Sequence, residues 1–274
     1  MKIDKVREVL GRNILADGFD PIIDLDKSHG SWIVDHRDNS EFLDMFSMYA
    51  SGAVGYNHPY IIEKQDLLGK IAVNKTTLSD MYNIYYADFV ETFNRFAIPD
   101  YLNNAFFIDG GSLAVENALK AAFDWKKRIN LDKNIKSDGD KVIYFKQAFH
   151  GRSGYTLSLT NTSDPRKTMY FPKFPWYKFD NPHLSFPCTD EVLSLLVEDE
   201  KKVIDEINSM LNENIGDVAA LIIEPIQGEG GDNHFRNEFL IELKEVLLCI
   251  KEIRDIWFVL WEWMVQEKVH LQEA

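Results

Sequence analysis

The sequence predicts an α/β domain built on a mostly parallel sheet with flanking helices. Three observations predict it. From about residue 105 onward, short apolar runs alternate with long Ala- and Leu-rich runs, the strand–helix alternation of doubly wound folds. The run from Val218 to Ile226 (VAALIIEPI) is continuously apolar, as strands covered on both faces are. Three such runs end in polar, glycine-containing loops, and open α/β sheets bind ligands beyond the carboxyl ends of their strands.

The elements follow in order. Lys5 to Leu15 has the spacing of a short amphipathic helix. SWIVDHRDNSEFLDMFS reads as two short strands around a turn at Asp38 to Ser40, where Asp, Asn and Ser favour turn backbone. Met48 to Pro59 is punctuated by glycine and is expected as a loop. Ala105 to Ile108 is a short apolar run, expected as a strand, that breaks into Asp109-Gly110-Gly111-Ser112. LAVENALKAAFDWKKR then predicts a helix, with basic residues in its last turn. Lys141 to Phe145 (KVIYF) is the next strand and runs into QAFHGRSGYTLSLTNT. Asp190 to Asn214 is helical, and the strand from Val218 to Ile226 ends in QGEGGDNH.

Composition narrows the function. With 45% hydrophobic residues, 13% of the chain being aromatic, the 274 residues can bury a sizeable core. A formal charge of -14 argues against nucleic acid and anionic membranes as partners. Cys188 and Cys249 have no ligand spacing, so neither zinc nor a disulfide framework is suggested. No run reaches the ~18 apolar residues of a spanning helix, the N-terminus has no signal-like apolar stretch, and a cytoplasmic location is expected.

The three loops carry the chemistry. Gly110-Gly111-Ser112 lets backbone approach a ligand and sets a hydroxyl at a helix start, where free N–H groups favour an anion such as phosphate. Taken alone it reads as an ordinary tight turn with a serine cap. In the second loop Phe149 can cover a planar ring and Arg152 can take a carboxylate bidentately. Read singly, Phe149 and His150 also suit core packing, and Arg152 a surface ion pair. Glu224 ends an apolar strand and so is expected to be buried and paired. Glu229 stands between glycines and can reach into a cleft or simply decorate a loop.

Together these stretches resemble the class III, fold-type I aminotransferases, which use pyridoxal 5'-phosphate (PLP). They are ADGFDPIIDLDKSHGSWIVD, FLDMFSMYASGAVGYNHP, FFIDGGSLAVENALKAAFDWKKR, QAFHGRSGYTLSLTNT, FPKFPWYKFDNP and LIIEPIQGEGGDNHFR. GGSLAVENALKAAFDWK and HGRSGYTLSLTN are similar to the L-lysine 6-aminotransferase branch in particular. The resemblance implies an incomplete fold-type I architecture. Residues 1–60 would belong to the small domain, 61–245 to a partial PLP-binding domain, and 246–274 to a divergent helical tail. It implies transfer of the ε-amino group of L-lysine to 2-oxoglutarate, giving glutamate and 2-aminoadipate 6-semialdehyde, by a homodimer serving lysine catabolism. It implies a cofactor site of Gly111, Ser112, Phe149, His150, Glu224 and Gln227. Arg152 and Glu229 would meet the substrates, Glu229 as the switch that lets one site accept lysine and the acidic partner.

The pattern departs from the family downstream. The resemblance places an aspartate for the pyridinium nitrogen, and then the Schiff-base lysine, after EPIQGEGG. Residues 243–274 read LKEVLLCIKEIRDIWFVLWEWMVQEKVHLQEA. Neither Asp255 nor Lys268 lies in a matching motif, so no catalytic residue is assigned. Leu243, Val246, Ile250, Ile253, Trp257, Leu260 and Met264 recur at helical steps. The expectation is a chain truncated or frame-shifted from about Val246 and inactive alone. Two alternatives stand beside it: an ω-aminotransferase of ornithine or 4-aminobutyrate type, and a non-catalytic interaction protein using the tryptophan-rich tail. A nucleotide-binding Rossmann protein is disfavoured, because GxGxxG is missing.

Overall fold

The computed structural model describes residues 2–49, 51–74, 81–102 and 104–249. The described residues divide into two compact units, one up to Tyr101 and one from Leu102 on. Among the described residues no helix is long and apolar enough to cross a membrane.

In the first unit a 3-10 turn, Ile3–Lys5, leads into α1 (Val6–Leu10). The helix expected to Leu15 stops at Gly11, whose N–H returns to the Arg7 carbonyl at 2.9 Å. Ile14 and Leu15 beyond it are exposed, so no buried apolar face holds further turns together. β1 (Trp32–Val34) and β2 (Glu41–Leu43) pair antiparallel with Trp32 opposite Leu43. Their turn is the expected one: Asn39 takes φ 62°, and Asp38 Oδ1 accepts from the Ser40 N–H at 2.9 Å. Three helices follow, α2 (Pro59–Glu63), α3 (Gln65–Ala72) and α4 (Ile84–Phe96). Asn83 caps α4 by accepting from the Tyr86 N–H at 3.0 Å.

The second unit opens with α5 (Gly111–Asp132). The run 105–108 ahead of it is not a strand. An apolar run becomes a strand only where a neighbour takes its ladder hydrogen bonds. Phe106 and Ile108 are exposed here. β3 (Lys141–Phe145), the short α6 (Thr156–Leu159), β4 (Tyr177–Phe179), α7 (Asp190–Glu213) and β5 (Val218–Leu221) follow. The three strands form one sheet in the order β4-β3-β5, all parallel. The strand expected to reach Ile226 is broken after Leu221 and resumes as β6 (Ile226–Gln227), antiparallel to β7 (Asn233–His234). Pro225 stands in the break and has no N–H to donate. α8 (Asn237–Cys249) completes the described chain. Leu243 and Val246 lie on α8; the rest of the expected helical stripe, Asp255 and Lys268 lie outside the described residues.

Side-chain alternation along β3 explains both covering layers. Ile143 and Phe145 pack with Val203, Ile204 and Ile207 of α7 and Phe239 and Leu243 of α8. Val142 points the other way and packs with Val115 and Leu119 of α5 and with Leu159 and Trp176. The period-two side-chain geometry of a strand buried on both faces requires apolar residues at every position. The α7 and α8 layer is locked by an ion pair. Arg236, just before α8, donates Nε to Glu200 Oε1 at 2.9 Å and Nη2 to Glu200 Oε2 at 2.7 Å, and Glu200 is 3% exposed.

Candidate active site

The site lies where β3 and β5 end and α5 begins. Gly110 precedes α5 with φ 90°, a value that favours glycine. The helix start has no side-chain cap hydrogen bond. A Cβ on Gly110 would meet nothing within 4 Å. The first-turn N–H groups of this 22-residue helix have no intrahelical partner, and no side chain caps them.

The second loop is stitched to that helix start. Ser112 Oγ accepts the Arg152 N–H at 3.3 Å. Gly151 has φ 113°, and a Cβ there would lie 2.0 Å from Ser112 Oγ. One turn along α5, Glu116 Oε1 accepts from the Ser153 hydroxyl at 2.7 Å, the Tyr155 N–H at 2.6 Å and the Thr156 N–H at 3.3 Å. Sequence reasoning missed Glu116. Its one visible signal is its place on the Ser112 face of α5, four residues on.

His150 is buried, and its N–H donates to Thr160 Oγ1 at 3.1 Å. Its Nε2 is buried with no hydrogen-bond partner among the described residues. Burial pushes its pKa down to about 3, so the ring is neutral near pH 7. Phe149 is half-buried, and its N–H donates to Glu224 Oε1 at 2.7 Å. Glu224 is thus buried and paired, 3% exposed, but its partner is a backbone amide and not a cation. Burial pushes its carboxyl up to about 7; the Phe149 hydrogen bond opposes this and the nearby Glu229 charge adds to it.

That shift makes a pH prediction. Between its ordinary value near 4.5 and about 7, folded Glu224 keeps a proton that the unfolded chain releases. Its contribution therefore favours folding at low pH and is lost as pH rises through that window. Glu224→Gln keeps the acceptor and removes the titration. In urea unfolding without ligand, wild type is expected to lose about 2–3 kcal/mol relative to the variant between pH 4.5 and 7.5. A pH-independent difference would refute the shift.

Gln227 is fully buried and closes an amide cluster that sequence reasoning did not anticipate. Its Oε1 accepts from Asn181 and Asn233 Nδ2, each at 2.9 Å, and its Nε2 donates to the Lys146 carbonyl at 2.9 Å. The partners lie 46, 6 and 81 residues away, beyond what spacing reveals. The cluster fixes the third loop against the second, because Asn181 and Asn233 also donate to Gln147 Oε1.

The structure therefore brings Gly111, Ser112, Phe149, His150, Glu224 and Gln227 to one strand-end cluster. Arg152 is exposed, with no side-chain ion pair or hydrogen bond among the described residues. Glu229 is paired with Lys167 and Thr162, not with Arg152. An anion-receptive helix start, a half-exposed aromatic face and an unpaired guanidinium fit a phosphorylated planar cofactor and a carboxylate substrate.

Residues 15–260 match the family described as Aminotransferase class-III. The L-lysine-epsilon aminotransferase of Mycobacterium tuberculosis is 45% identical over 247 residues, covering 89% of this chain and 54% of its own length. That of Streptomyces clavuligerus is 42% identical over 258 residues, 93% of this chain and 55% of its own. A solved lysine aminotransferase from M. tuberculosis superposes with a TM-score of 0.85 at 44% identity, covering 92% of this chain and 57% of that one. The chain spans about half the length of the curated relatives it matches.

Proposed function

We propose, because this chain belongs to the class-III aminotransferase family, that its three loops hold PLP and the carboxylates of L-lysine and 2-oxoglutarate. The observation that carries this reading is the Ser112–Arg152 contact, which ties the start of α5 to the backbone of Arg152, whose exposed side chain has no ion pair among the described residues. Ser112 and the first N–H groups of α5, Gly111 included, hold the phosphate. Phe149 covers one face of the ring, and Glu224 fixes Phe149 through its backbone. His150 and Gln227 brace the cofactor loops from behind. Arg152 takes a substrate carboxylate, and Glu229 tunes the charge that carboxylate meets. When bound, PLP supplies the electron sink that amino transfer needs.

The reaction moves the ε-amino group of lysine to 2-oxoglutarate, giving glutamate and 2-aminoadipate 6-semialdehyde. Lysine is favoured over 4-aminobutyrate by sequence: a 4-aminobutyrate aminotransferase of Mycosarcoma maydis is 33% identical, against 45% for the lysine enzyme. A cytoplasmic homodimer and a small-domain role for residues 1–60 belong to the same proposal.

Calorimetry tests the assignment. Arg152→Ala is expected to weaken 2-oxoglutarate and L-lysine binding roughly a hundredfold, the scale of a lost charge-assisted pair, with PLP affinity unchanged. Unaltered binding of both substrates would remove Arg152 from the site.

A further inference from the structure

Glu229, like Gln227, has partners that were not visible in the sequence. Its Oε1 takes the Lys167 ammonium at 2.7 Å and the Thr162 hydroxyl at 2.7 Å. Lys167 closes a 3-10 turn, Pro165–Lys167. Within that turn the other cation is already matched: Arg166 donates Nε and Nη2 to the two Asp164 carboxylate oxygens at 2.9 and 3.0 Å. Lys167 is thus the cation of this turn that reaches across to the β6 loop, 62 residues on. Side-chain exposures of 38% and 29% mean the pair adds little to stability.

We propose that Lys167 is a specificity-determining residue: it holds and neutralises Glu229, so that a dianionic 2-oxo acid can enter beside Arg152. This rests on the function proposed above. 2-Oxoglutarate carries two negative charges, whereas L-lysine carries one carboxylate and two ammonium groups. An uncompensated Glu229 carboxylate therefore repels the first and attracts the second. With Lys167 in place, one site serves both halves of the exchange. Without it, the site discriminates against the acceptor. Thr162 alone cannot replace Lys167, because a hydroxyl satisfies the carboxylate's hydrogen bond without cancelling its charge.

Calorimetric titration of the PLP-treated chain with 2-oxoglutarate and with L-lysine, at low and at 0.5 M salt, tests this. Lys167→Met is expected to weaken 2-oxoglutarate roughly five- to tenfold at low salt, the scale of one charge acting across several ångströms of partly solvated protein. L-lysine affinity should hold or improve, high salt should shrink the effect, and Lys167→Arg should restore wild-type values. An unchanged melting temperature will separate this from a structural role. If 2-oxoglutarate binds Lys167→Met as it binds wild type, or if both ligands weaken together, the assignment of Lys167 is overturned. Loss of binding in Arg152→Ala then leaves the aminotransferase reading standing. If wild type binds neither ligand, both readings fall.

Discussion

Alanine at Gly151 is expected to cost about 2–4 kcal/mol of stability and to abolish selective PLP binding, for two independent physical reasons. The backbone at Gly151 has φ 113°, a region that a residue with a Cβ rarely adopts. The added carbon would also lie 2.0 Å from Ser112 Oγ, 2.8 Å from Ser112 Cβ and 2.9 Å from Thr156 Oγ1. Neither short side chain can swing clear without losing a contact. Ser112 Oγ holds the Arg152 N–H, and Thr156 Oγ1 accepts the Ser153 N–H at 2.9 Å. The clash therefore pushes apart the two loops whose junction is the proposed phosphate site. Gly154→Ala is the control. Its Cβ would meet only Glu116 Oε1, at 3.7 Å, so wild-type behaviour is expected. Should Gly151→Ala fail to fold, Ser112→Ala provides the second test, with stability near wild type and PLP affinity lowered about tenfold. Calorimetry and thermal melts of the variants measure both quantities. Selective PLP binding retained by Gly151→Ala would show that the junction is not the phosphate site.

Arg236→Ala is expected to destabilise the second unit by about 3–5 kcal/mol, the cost of leaving a buried carboxylate unpaired. Glu200 is 3% exposed on α7, and Arg236 holds it with two donors. The pair sits where α8 begins. α8 then delivers Phe239, fully buried and 6.2 Å in ring-centroid distance from Phe145 of the central strand. Replacing both partners, as Glu200→Leu with Arg236→Met, should recover stability to within about 1 kcal/mol of wild type, because no orphaned charge remains. Urea unfolding of the two single variants and the double variant checks this. A small effect of Arg236→Ala alone would mean that water reaches Glu200.

The parts of this architecture that were legible in the sequence are those set by local pattern. KVIYF, the helix after Gly110-Gly111 and the helix from Asp190 show their type through period and caps. The three glycine loops show theirs through position. Two strand expectations failed because a strand depends on its neighbours. Residues 105–108 form no strand, with Phe106 and Ile108 exposed, and Pro225 interrupts the run to Ile226. The residues that build the site walls were hidden for a related reason. Glu116, Asn181, Asn233, Thr162 and Lys167 have ordinary types at ordinary positions. Their roles come from hydrogen bonds to residues mostly tens of positions away. Glu224 was legible as buried and paired, but its backbone partner was not, and neither was the rise of its carboxyl to about 7, which burial causes.

The start of α5 and the Phe149–Arg152 loop are proposed to form a phosphate-directed site for PLP. Titrating the chain with PLP and with pyridoxal, the same ring without the phosphate, tests it most directly. PLP is expected to bind at least about thirtyfold more tightly than pyridoxal, through charge-assisted hydrogen bonds at the helix start, and Gly151→Ala is expected to erase the difference. Equal affinity for the two compounds, or no binding of PLP, would contradict it.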